Sequence, residues 1–160
     1  GYVGLEIAKK LTPDSLTGCE ISPAMLQFAR KNAKNYGIDA RYVQGNCMEM
    51  PFEDESFDSV ISNGSLHEWE TPVRVFNEIY RVLRPGGRYC ITDLRRNVNL
   101  LARYLGLATA KPRAIRPGFI SSLNAAYTVG EITELLRNSD LKGAMVTTDF
   151  FGLCISGEKK

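Results

Sequence analysis

The stretch "GCEISPAMLQFARKN", residues 18–32, decides the fold. With the preceding residues it begins as a short buried strand, "SLTGCEI", ending in the carboxylate Glu20. A helix must then start within two residues. Ser22 suits the N-cap, because its hydroxyl can accept a first-turn amide, and Pro23 suits the first helical position, where a missing N–H costs nothing. Met25, Phe28, Ala29, Ala33 and Tyr36 recur at helical spacing and predict the apolar face, with Gly37 as the C-terminal stop.

The same alternation runs outward in both directions. Upstream, Val3, Ile7, Ala8 and Leu11 predict a helix over residues 2–11, ended by Pro13 and Asp14. Downstream come a strand at "ARYVQG", a loop around "NCMEMPFEDES" and a strand at "FDSVIS". Thr71 and Pro72 open a helix lined by Val73, Phe76, Ile79, Tyr80 and Leu83, closed by "RPGG" before the strand "RYCITD". Thr128 and Glu131 form a capping-box pattern at the start of a last helix. "GAMVTTDF" and "FGLCISG" follow almost without a loop, which only an antiparallel pair permits. Single helices between short strands predict the α/β class, a doubly wound and mostly parallel sheet. In such sheets ligands sit at the carboxyl ends of the strands.

The chain has 160 residues with 44% apolar and 24% charged composition, the size of one domain spanning 1–160. A net charge of +2 is too small to argue for nucleic acid or a membrane. Cys19, Cys47, Cys90 and Cys154 form no CxxC pair and share one His, so no metal site and no disulfide framework is expected. With no signal peptide and no membrane-length apolar run, a cytoplasmic protein is expected.

Each strand end carries a candidate. Glu20 would suffer desolvation unless hydrogen bonds reach it; a ribose diol can donate them, and so can amides of the helix starting at Ser22. Asn46, after Gly45, can read an adenine edge or simply close an Asx turn. Cys47 beside it reads as a small loop hydrophobe. "SNGSLHEWE" holds Asn63 and the only His and Trp. His67 is the general-base candidate, its ordinary pKa lying near neutrality, against a structural role; Trp69 reads as packing.

Residues 94–127 break the rhythm. Arg95, Arg96, Arg103, Lys111, Arg113 and Arg116 occur there without an acidic residue, and Val98, Leu101, Tyr104, Leu105 and Ala108 fall at helical spacing. This insertion is expected either as a lid over the strand ends, admitting an anionic or amphiphilic substrate, or as a solvated basic face.

Taken together, "GYVGLEIAKKL", "GCEISPAMLQFARKN", "YVQGNCMEMPFEDESFDSVISNGSLHEW", "EIYRVLRPGG" and "GLCISGEKK" resemble the class I S-adenosylmethionine-dependent methyltransferases, in particular the small-molecule type that includes quinone-biosynthesis enzymes. The resemblance implies a Rossmann-like sheet of order 3-2-1-4-5-7-6 with the last strand antiparallel, and S-adenosylmethionine as cofactor. It implies that Gly1 passes under the methionine part, that Glu20 holds the ribose, and that Ile21 touches the adenine. Asn46 takes the place of the more usual Asp at the adenine amino group, Cys47 offers its backbone N–H, and Asn63 and Gly64 turn beside the methionine moiety. The family's first strand and its acid-glycine-x-glycine opening have no counterpart in these residues, so a strand preceding Gly1 is expected in the native protein.

Methyl transfer to a small-molecule acceptor is the expected activity. No Asn-Pro-Pro-aromatic or Asp-Pro-Pro-aromatic signature follows the fourth family strand, which argues against amino-methylation of nucleic acids. Two rivals share the residues: a noncatalytic module binding S-adenosylmethionine or its demethylated product, and an NAD-dependent oxidoreductase, for which a substrate domain has no room.

Overall fold

The switch at Glu20 to Pro23 is present in the computed structural model, which describes residues 2–109 and 111–160. The chain divides into two units, Gly1–Glu53 and Asp54–Lys160.

The first unit contains α1 (Tyr2–Leu11), β1 (Thr17–Glu20), α2 (Pro23–Tyr36) and β2 (Arg41–Gln44). The strands pair in parallel, with Thr17 opposite Arg41 and Glu20 opposite Gln44. Ser22 caps α2 by accepting the Met25 amide at 3.3 Å, and Gly37 ends it at φ 65°, a left-handed conformation that favours glycine. The buried stripe of α2 is Leu26, Ala29 and Ala33, one turn apart, and this helix lies against both strands. The face differs from the sequence expectation, for Met25 and Phe28 are 52% and 60% exposed. In α1, likewise, Leu5 and Ala8 are buried while Leu11 is exposed. Tyr36 donates its hydroxyl to Glu6 at 2.6 Å, clamping α1 to α2 and holding the Glu6 carboxyl below its usual range.

The second unit contains β3 (Phe57–Asn63), a 3-10 turn (Leu66–Glu68), α3 (Pro72–Val82), β4 (Leu83–Leu94), α4 (Leu100–Thr109), α5 (Arg116–Ala125), α6 (Val129–Arg137), β5 (Met145–Thr148) and β6 (Gly152–Glu158). Its sheet has the order β3-β4-β6-β5. The β3–β4 pair is parallel, and β6 runs antiparallel to both neighbours, as the tight final connection requires. Asp149 makes that connection by accepting the amides of Phe151 and Gly152, which lower its carboxyl pKa. Neighbours within each of the two sheets match the corresponding stretches of the expected order. Val75, Phe76, Ile79 and Val82 of α3, Ile91 of β4, Ile132 and Leu136 of α6, and Leu153 and Ile155 of β6 are buried apolar residues of this unit. Thr128 and Glu131 form the anticipated capping box.

Two further elements depart from the sequence reading. β4 begins at Leu83, not after "RPGG", because Phe57 pairs with Leu83 and a register shift absorbs the intervening turn before Ser59 pairs with Arg88. On the other side Gly86 donates to the Lys159 carbonyl, and the Lys159 amide to that of Gly87, each at 2.8 Å. The insertion holds two helices, not one. Asn99 caps α4 by accepting the Ala102 amide at 2.7 Å, and Leu101, Tyr104 and Leu105 of the apolar stripe point outward. Among the described residues no helix is long and apolar enough to cross a membrane.

Candidate active site

In the first unit the ends of β1 and β2 lie side by side, and the Gly45 amide donates to the Glu20 carbonyl at 3.1 Å. This close approach requires glycine, since a Cβ at Gly45 would fall 2.7 Å from Pro51 Cδ and 3.0 Å from Cys19 Sγ. The half-buried Glu20 carboxylate accepts the Ser22 amide through Oε1 at 2.9 Å, so the helix reading of this residue is present. One bond does not exhaust a carboxylate. Oε2 has no hydrogen-bond partner among the described residues and can accept from a diol. Asn46 accepts the Met48 amide at 2.9 Å, an Asx turn, and its Nδ2 donors have no partner among the described residues. Ile21, 62% exposed, flanks Glu20 as an apolar surface. Cys47 is half-buried, and burial foremost raises its thiol pKa, as it does for Cys19, so neither is an activated nucleophile.

The second unit brings the end of β3 against the end of β4. Asn63 donates to Thr92 Oγ1 at 2.6 Å, and Gly64, at φ 68°, donates its amide to the Thr92 carbonyl at 2.8 Å. The positive φ explains the glycine. His67 then meets Asp93, a partner that the sequence reading missed. Nδ1 lies 2.9 and 3.0 Å from the two Asp93 oxygens, and the His67 amide donates to Asp93 at 2.8 Å. The Leu94 amide adds a third donor at 2.7 Å. The two side chains are only 8% and 2% exposed, so the carboxylate is buried but well satisfied. Because a carboxylate only accepts, Nδ1 carries the proton, and in the neutral ring this tautomer leaves the lone pair on Nε2. Nε2 lies 3.9 Å from Glu68 Oε1, whose side chain is 74% exposed. Asp93 closes the polar end of an apolar strand, the same signal that marks Glu20. Trp69 packs edge-on against Phe76 at 5.9 Å.

Gly1, assigned to the methionine loop by resemblance, lies outside the described residues. Among the described residues no group of three or more His, Cys, Asp or Glu side chains could hold a metal ion.

Residues 2–91 match the family described as methyltransferase domain. A phthiotriol/phenolphthiotriol dimycocerosates methyltransferase of Mycobacterium tuberculosis is 34% identical over 109 residues, 68% of this chain and 40% of that protein. The chloroplastic 2-methyl-6-phytyl-1,4-hydroquinone methyltransferase 2 of Oryza sativa subsp. japonica is 35% identical over 57% of this chain and 26% of its own length. The chain thus spans well under half of the length of these curated relatives. Among solved structures, a SAM-dependent methyltransferase from Aquifex aeolicus superposes with a TM-score of 0.71 over 98% of this chain and 76% of its own, at 14% identity. That likeness is one of fold.

Proposed function

Since the chain belongs to the methyltransferase-domain family, with the fold of S-adenosylmethionine-dependent methyltransferases, we propose that the protein transfers a methyl group from S-adenosylmethionine to a small amphiphilic acceptor. The observation that carries this reading is Glu20, an acid at the end of β1 with one oxygen still able to accept, beside the unspent Asn46 donors. The donor set fits an adenosine. Glu20 accepts from the ribose hydroxyls, Asn46 and the Cys47 amide meet the adenine edge, and Ile21 covers its face. Gly1, Asn63 and Gly64 serve the methionine end. When bound, the cofactor supplies a methyl group already activated by its sulfonium.

The chain's own task is then alignment, to which oriented reactants contribute about 7–11 kcal/mol. His67 takes the acceptor's proton at Nε2, and Asp93 is its positioning residue, holding the tautomer through Nδ1. The rice relative is named for a phytyl hydroquinone, a phenol with an apolar tail. Such an acceptor suits residues 94–127 as a cover, since that segment is both apolar and cationic. The four cysteines are free thiols, which suits a reducing compartment such as the cytoplasm.

Titration calorimetry with S-adenosylhomocysteine tests the cofactor half. Glu20→Ala removes a charge-assisted hydrogen bond and should weaken affinity by about 10- to 100-fold; unchanged affinity would overturn the reading. Once an acceptor is identified by turnover, His67→Asn should leave cofactor affinity intact and lower kcat by about 10²–10⁴-fold. A kcat equal to wild type would remove His67 from the chemistry.

A further inference from the structure

The first helix of the insertion faces the wrong way for a packed helix. In α4 the buried positions are the small ones, Ala102 and Gly106, and a Cβ at Gly106 would lie 2.7 Å from Phe119 Cζ. The large apolar residues point outward: Leu100 is 85% exposed, Leu101 61%, Tyr104 69% and Leu105 38%. At about 100° per residue these four occupy one continuous arc of the helix. Ile115, at 50%, extends the exposed apolar surface of the segment beyond α4. So much apolar area facing water marks an interaction site.

Charge decides what covers it. Residues 94–130 hold six cations and no acid, while the rest of the chain carries fourteen basic against eighteen acidic side chains. The segment that carries the protein's net positive charge is therefore also the one that carries the outward apolar arc of α4. Arg96 is engaged by Glu131, but Lys111 and Arg113 are exposed and Arg103 is half-buried on α4 itself. A second copy of the chain would bring the same cations face to face, which costs energy. A partner must be apolar where it meets the leucines and anionic where it meets the arginines. An anionic lipid bilayer has this order of layers, acyl chains beneath phosphates.

We propose that α4 lies in the surface of an anionic lipid bilayer, its Leu100, Leu101, Tyr104 and Leu105 face entering the acyl boundary while Arg103, Lys111 and Arg113 meet lipid phosphates. A ten-residue helix is short, so the attachment is weak, reversible and sensitive to salt. The inference stands on the exposed chemistry of α4 and not on methyl transfer, so either reading can fail without the other.

Co-sedimentation of the full chain with vesicles tests it. The protein should bind vesicles of phosphatidylcholine mixed with phosphatidylglycerol, not vesicles of phosphatidylcholine alone, and should be released by salt. Leu101→Ser with Tyr104→Ser should abolish binding while leaving the urea midpoint unchanged. Lys111→Ala and Arg113→Ala should each weaken it by about fivefold. Equal binding to both vesicle types, or none to either, overturns the proposal. Sedimentation velocity supplies a further decision: a dimer that the Leu101 and Tyr104 substitutions convert to monomer assigns the face to a second copy and also overturns it.

Discussion

Helices α3 and α4 are both drawn in the sequence by apolar residues at helical spacing, yet they face opposite ways. In α3, Val75, Phe76, Ile79 and Val82 are buried, and the other side carries Arg74, Asn77, Glu78 and Arg81. Only one orientation avoids burying charge. In α4 the large apolar arc is exposed, and the inner side is built from Ala102 and Gly106, with Arg103 the helix's one charged residue. Periodicity identifies a stripe. What stands on the opposite stripe decides whether that stripe turns inward.

The largest expected effect tests this contrast directly. Phe76→Ala, in a site that is 0% exposed and packed against Trp69, should cost about 3–5 kcal/mol in urea denaturation through lost burial and the cavity left behind. Leu101→Ala, at 61% exposure, should change stability by no more than about 0.5 kcal/mol. A loss at Leu101 comparable to that at Phe76 would break the comparison, because the α4 face would then be covered within the folded protein.

What the sequence discloses follows the range of the interaction. Ser22, Pro23 and Gly37 around α2, and the Thr128–Glu131 box of α6, are local chemistry, and each cap lies where its residue type asks for it. The start of β4 is not local. It depends on Phe57 pairing with Leu83 across a register shift and on Lys159 bonding the glycines from the far end of the chain. The candidate site divides in the same way. Glu20, Asn46 and His67 stand out as polar residues at strand ends, whereas the pairing of His67 with Asp93 joins positions 26 residues apart. A carboxylate closing an apolar strand pointed equally at Asp93, but its partner is a matter of tertiary packing. The outward turn of α4 is of that kind too.

The smallest effect concerns how the two helices are held. The core of α3 is apolar, whereas the insertion is fastened at its ends by polar contacts: Arg96 donates its amide to the Tyr127 carbonyl at 3.2 Å and its guanidinium pairs with Glu131. The Glu131 carboxyl is held below its ordinary value, foremost by the Thr128 amide; burial opposes this, and Arg96 and the Thr128 hydroxyl lower it further. A carboxyl whose folded pKa is lowered contributes stability that is present above its unfolded pKa and lost as pH falls through the folded one. Because the Arg96 and Glu131 side chains are 42% and 45% exposed, solvent screens the pair and the contribution is modest. Amide exchange across residues 96–127, relative to residues 72–82, should therefore accelerate by up to about fivefold as pH falls below the ordinary carboxylate range, after correction for intrinsic rates. Glu131→Gln should show the faster exchange already at neutral pH and lose most of the acid dependence. If wild type and variant share one acid profile, the polar fastening does not distinguish the insertion from α3, and the difference between the helices rests on the α4 faces alone.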